Sequence, residues 1–174
     1  MKRILILIAA CSLFAGCCGT ADTGDFTNAE KALIEQALTS DGSSFPKGTM
    51  RVLTIADRAD SLLLRDTSRN FSANALLSEE YASLCSLMIA TVTHPSQDGV
   101  GIAGPQVGLN RRIVAVQRFD KEGEPFEVYP NIRIVWTSDS LAYGPEGCLS
   151  VPDRRGEVLR SQEVVIEYGI PVQR

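Results

Sequence analysis

The chain has 174 residues, with 21 acidic against 17 basic side chains and a formal net charge of −4. No run of Lys or Arg occurs, which excludes the electrostatic footprint of a nucleic-acid binder. Of the five cysteines, only Cys85 and Cys148 lie beyond the first 18 residues; a bridge between them stays open, but two cysteines exclude a disulfide scaffold.

The chain opens "MKRILILIAACSLFAGCCGT". Lys2 and Arg3 form a positive start, and Ile4 to Phe14 form an apolar stretch too short to span a bilayer comfortably. This predicts a secretory signal over residues 1–16. Small residues running into Cys17 resemble the bacterial lipoprotein signal, although Phe14 stands where that pattern prefers Leu. The resemblance implies lipidation at Cys17 and an exported protein, anchored to a membrane on its periplasmic or outer-membrane side. The alternatives are an ordinary signal peptide or a buried apolar N-terminus.

Residues 17–25 read as a tether. Thr27 and Glu30 have capping-box spacing, and Ala29, Leu33, Ala37 and Leu38 can share a face. A helix over about 27–39 follows, stopped by Gly42. Residues 40–75, with apolar clusters at 52–56 and 62–64, read as mixed strand and turn. The pattern predicts a second helix over 78–93. Ser78 is its N-cap, Glu79 and Glu80 sit in its first turn, and Tyr81, Leu84, Cys85, Met88, Ile89 and Val92 form its stripe. Pro95 bars continuation, and Cys85 on the stripe reads as a small buried hydrophobe. Strands are expected at about 112–119, in two segments broken near Pro130, and at about 162–168. Helices first, then strands without intervening helices, predict an α+β fold.

The stretch "QDGVGIAGPQVGLNRR" contains G-x-G-x-x-G at Gly99, Gly101 and Gly104. A dinucleotide loop needs a strand before these glycines and a helix opening from them. Here a helix precedes and Pro105, Gly108 and a strand follow, so both flanks are wrong. The glycines instead let backbone amides approach a ligand, and Gln106 adds a side-chain donor.

This stretch resembles the first signature of the peptide deformylases, G-x-G-x-A-A-P-Q-x-G, at Gly99, Gly101, Ala103, Pro105, Gln106 and Gly108. Gly104 replaces the second Ala. Farther on, Glu146-Gly147-Cys148-Leu149-Ser150 matches the second signature, E-G-C-L-S, at every position. Two motifs in the family's order, over roughly residues 50–170, make the chain similar to that family. The resemblance implies mixed or antiparallel sheets, a domain over 26–174, and hydrolysis of the N-formyl group of formyl-methionyl peptides. It also implies a divalent metal, Fe2+ or Zn2+, with Cys148 as a thiolate ligand. Gln106 and the backbone amide of Leu149 would stabilise the oxyanion. Gly101 would hydrogen-bond the peptide, Val100 would line the methionine pocket, and Glu146 and Arg155 would brace the site or hold the peptide.

The family's third signature, His-Glu-x-x-His on a central helix, supplies two further metal ligands and the general acid/base. This sequence has a single histidine, His94, before the first motif. The expectation is a shortened chain lacking that helix, with little or no deformylase activity of its own. The alternative is a non-catalytic exported lipoprotein that binds formyl- or methionyl-peptides.

Overall fold

The computed structural model describes residues 24–170. The expected signal, its Cys17 and most of the tether lie outside the described residues. Four helices come first: α1 (Asn28–Thr39), α2 (Arg58–Arg65), α3 (Ala73–Leu76) and α4 (Glu79–Thr93). Then come β1 (Gly101–Ala103), a 3-10 turn (Gly104–Val107), β2 (Ile113–Gln117), β3 (Phe126–Pro130), β4 (Arg133–Thr137), β5 (Leu141–Cys148), β6 (Val151–Ser161) and β7 (Val164–Glu167). The strands form a sheet β1-β2-β3 and two pairs, β4-β7 and β5-β6, all antiparallel. The α+β expectation therefore holds.

The caps set the two long helices where the sequence puts them. Thr27 Oγ1 accepts from the Glu30 N–H at 3.2 Å, and the Thr27 N–H donates to Glu30 Oε2 at 2.8 Å. Ser78 Oγ accepts from the Tyr81 N–H at 3.2 Å. Leu84, Met88 and Val92 of α4 are fully buried, and they share the core with Ile102, Leu109, Ile113 and Ala115. Cys85 packs at the margin of that core, where burial pushes its thiol pKa up.

Residues 40–75 correct the expectation of strand and turn. Asp57 caps α2 by accepting from the Asp60 N–H at 3.0 Å, and Arg65 stands in its last turn. The cap and the good helix formers after it outweigh the apolar cluster 62–64, whose Leu62 is exposed. The hairpin β5-β6 also exceeds the expectation: Gly, Pro and Arg interrupt the apolar alternation that marks a strand, and backbone pairing carries it instead.

The domain edge is held by one buried cation. Arg111 has no exposed surface. Its Nε donates to Glu30 Oε1 at 2.6 Å and its Nη2 to Glu30 Oε2 at 2.8 Å. Nη1 donates to the carbonyls of Gly24 (3.2 Å) and Asn70 (3.0 Å), and Nη2 to that of Asp25 (2.7 Å). All five N–H donors are thereby used. The Phe71 ring lies under the guanidinium, 5.3 Å from its centroid. Gly24 and Asp25, expected within the tether, thus belong to the packed unit.

Burial alone would raise the Glu30 carboxyl, but the Arg111 and Thr27 hydrogen bonds hold it below its ordinary 4.5. A lowered folded-state pKa adds stability that is complete above pH 4.5 and is lost as pH falls through the folded value. Arg111→Met should cost about 3–5 kcal/mol, because it strands the Glu30 charge. Urea unfolding at pH 7 and at stepwise lower pH checks both points. Wild type should weaken in acid with a steeper slope than Glu30→Gln, whose remaining slope comes from other paired carboxylates such as Asp60 and Glu127; an Arg111→Met cost below about 1 kcal/mol would contradict the role of the pair.

Candidate functional site

The first motif folds as a turn between α4 and the three-stranded sheet. After Pro95 the chain reverses, and the Gly99 N–H donates back to the Val92 carbonyl at 2.9 Å. Gly101 starts β1, opposite Val116 of β2. The 3-10 turn then closes on Gly108, whose φ of 88° is left-handed and suits glycine.

Gly104 has a steric reason to be glycine. A Cβ there would stand 2.7 Å from the Arg111 carbonyl oxygen, 2.8 Å from Ile113 Cγ2 and 2.9 Å from the Leu109 carbonyl oxygen. An alanine would force these neighbours to shift, and two of the three contacts are backbone oxygens.

That turn aims Gln106. Its Oε1 accepts from the Ala103 N–H at 2.9 Å, which fixes the amide so that Nε2 faces outward. Nε2 donates to Ser150 Oγ at 3.2 Å and lies 3.9 Å from Cys148 Sγ. The second motif comes from the end of β5 and the turn into β6. The register slips between Gly147 and Cys148, a bulge that re-aims the cysteine side chain. Cys148 is an exposed free thiol. Among the described residues, no hydrogen bond takes up the Leu149 N–H.

The two motifs wall one open cavity of about 850 Å³. Val100, Gly101, Gln106, Cys148, Leu149 and Arg155 all line it. Asp98, Asp153 and Arg154 add charge of both signs to the rim. Glu146 is not part of this lining; its carboxylate takes Arg160 Nε at 3.0 Å and Nη2 at 2.9 Å along the hairpin. It thus braces β5 against β6.

Ser150 is the residue that sequence reasoning left out. It is buried, and it ties Gln106 by its hydroxyl while its carbonyl accepts from the Ile55 N–H at 2.9 Å. Its place inside the second motif was visible; its partner 44 residues away was not.

His94 caps α4 and binds Ser96 through Nδ1, and it does not line the Cys148 cavity. No group of three or more His, Cys, Asp or Glu side chains is placed to hold a metal among the described residues. Cys148 is therefore a single donor, and the residues present do not fit a three-ligand metal centre.

The model of the polypeptide deformylase family matches residues 51–169. The chain belongs to the polypeptide deformylase family. It is 36% identical over 124 residues to peptide deformylase 2 of Gloeobacter violaceus, covering 70% of this chain and 61% of that protein. It is 38% identical over 84 residues to a Synechocystis peptide deformylase, covering 45% of each. The chain thus spans less than two thirds of either relative. Among solved structures, the Acinetobacter baumannii deformylase with Met-Ala-Ser bound superposes with a TM-score of 0.59 at 32% identity, over 69% of this chain and 76% of that one. The Thermotoga maritima enzyme gives 0.58 at 27%, over 69% and 73%. Deformylases typically bind a divalent metal and act on formylated peptides.

The departure at Gly104 from the deformylase signature carries a test. Gly104→Ala should lower stability by about 1–3 kcal/mol, the range for overpacking, since three neighbours obstruct its Cβ. It should also disturb the Gln106 amide. Thermal unfolding and a change in the Gln106 side-chain amide signals check it; an unchanged midpoint would show that the contact relaxes freely.

Proposed function

We propose that this domain is the peptide-recognition part of a deformylase-type hydrolase, with formyl-methionyl peptides as its ligands. The convergence of Gln106 on Cys148, 42 residues apart in sequence, at one cavity supports the reading. The formyl oxygen accepts from the Gln106 Nε2–H and the Leu149 N–H, two donors held in place before the ligand arrives. Val100 covers the methionine side chain. The Gly101 backbone and Arg155 hold the peptide beyond it.

These 174 residues supply one metal donor of the family's Cys-His-His set. We therefore assign them binding, with little or no deformylase turnover. Calorimetry with formyl-Met-Ala-Ser should give saturable binding that Gln106→Ala weakens about tenfold, the worth of one hydrogen bond to a buried carbonyl. Formate release in the presence of Fe2+ or Zn2+ should stay at background. No saturable heat at millimolar peptide refutes the groove; rapid formate release refutes the inactive assignment.

A second reading, that of an exported lipoprotein which captures formyl- or methionyl-peptides without hydrolysis, rests on the sequence from Lys2 to Cys17 and on the single histidine. Its lipid would sit on Cys17. Metabolic labelling with a radioactive fatty acid should mark the wild-type chain and not Cys17→Ala. Equal labelling of the two would place the acceptor elsewhere.

A further inference from the structure

A second cavity, of about 420 Å³, lies beside the first. The two share Ser96, Gln97, Leu149 and Pro152 as walls. Phe45, Met50 and Val52 give the second one an apolar floor. Arg51 also lines it and is paired with Asp60, Nη1 to Oδ2 at 2.9 Å; the neutral polar groups fall into two sets. The hydroxyls of Thr49 and Thr91 are spent: the first donates to the Pro46 carbonyl at 2.6 Å, the second to the Leu87 carbonyl at 2.6 Å. The Ser44 and Thr54 hydroxyls and the Gln97 amide have no partner among the described residues.

His94 completes the open set. The Ser96 backbone N–H donates to its Nδ1 at 3.1 Å, and an N–H can only donate. Nδ1 must therefore be the accepting nitrogen, and the neutral ring carries its proton on Nε2. His94 lines the cavity, and Nε2–H is the ring donor left for a ligand.

The segment 52–55 on one side of this cavity is tied to the first site. The Leu53 N–H donates to the Gln106 carbonyl at 2.8 Å and the Ile55 N–H to the Ser150 carbonyl at 2.9 Å. Val52 and Thr54 line the cavity while Leu53 is buried. The compartment is thereby tied to Gln106 itself and to Ser150, whose hydroxyl accepts from the Gln106 amide.

We propose that this compartment is a side-chain subsite of the peptide groove, and that it takes a side chain with an apolar stem and a terminal amide or carboxylate. The stem lies on Phe45, Met50 and Val52, and the carbonyl or carboxylate oxygen accepts from His94 Nε2–H and the Thr54 hydroxyl. The subsite rests on the groove reading given above.

Calorimetry on the full chain tests it, with formyl-Met-Ala-Ala as reference. Formyl-Met-Gln-Ala, formyl-Met-Ala-Gln and their Glu counterparts place the head group at either position. One position should bind about tenfold tighter than the reference with Gln and with Glu, the yield of one or two satisfied hydrogen bonds. Thr54→Val and His94→Ala should each reduce that gain and leave reference affinity unchanged. Equal affinity for all five peptides overturns the subsite while the groove stands, as does a gain that both variants keep. If the reference peptide itself does not bind at millimolar concentration, the groove falls and the subsite with it.

Discussion

Arg111 connects the two ends of this structure through two different parts of itself. Its guanidinium holds Glu30 and the carbonyls of Gly24, Asp25 and Asn70. Its own carbonyl oxygen would stand 2.7 Å from a Cβ on Gly104, closer than a side chain tolerates without a shift. The first contact closes the N-terminal arm over the domain. The second presses the 3-10 turn against the strand that follows and so sets where Gln106 stands. A buried cation is costly unless every donor is met, and here every donor is met. The turn that carries Gln106 thus packs against the backbone of the same residue whose side chain holds the N-terminal arm.

The helices and sheets are unevenly covered. The stripe of α4 packs on the β1-β2-β3 sheet and shares its core. The pairs β4-β7 and β5-β6 are covered less, although Ile166 of β7 is buried. Ile134 and Trp136 of β4 are exposed, as are Leu141, Tyr143 and Leu159 of the hairpin, with Tyr143 at 71%. Tyr143 and Leu159 stand opposite each other, so their exposure is one patch rather than two scattered residues. Two-stranded pairs are marginal alone, and an apolar face of this kind is normally buried by another element. The deformylase resemblance implies a His-Glu-x-x-His helix, and residues 24–170 include no such motif.

The helices were legible where caps and stripe agreed. Thr27 with Glu30, and Ser78 with the run from Tyr81 to Val92, gave boundaries that the structure keeps to within a residue. α2 was missed because three leucines in a row carry no period, although Asp57 was a readable cap. The hairpin β5-β6 was missed for the opposite reason: its pairing is regular and its side chains are not. Six of the seven residues first assigned to the groove line it. The motifs carried them, since both place unusual residues at a backbone reversal. Ser150 and the compartment behind Leu149 were beyond reach. Their meaning lies in contacts between residues 49–55, 91–97 and 149–152, and no local pattern records a contact of that range.

The contacts around Gln106 and those of a metal centre make different demands on the chain. Everything that orients the Gln106 amide lies between Leu53 and Ser150: the Ala103 N–H, the Ser150 hydroxyl and the bond from Leu53 to the Gln106 carbonyl. The open Leu149 N–H is fixed by the same turn. None of this needs a metal in order to form, because each member is held by a backbone group or a buried hydroxyl. A metal centre is different, since three donors must converge on one point, and the described residues bring only Cys148. Preorganised donors around a carbonyl are enough to bind it, whereas cleavage of an amide also needs an activated water and a proton donor. The contacts that hold the Gln106 amide are therefore independent of any metal centre.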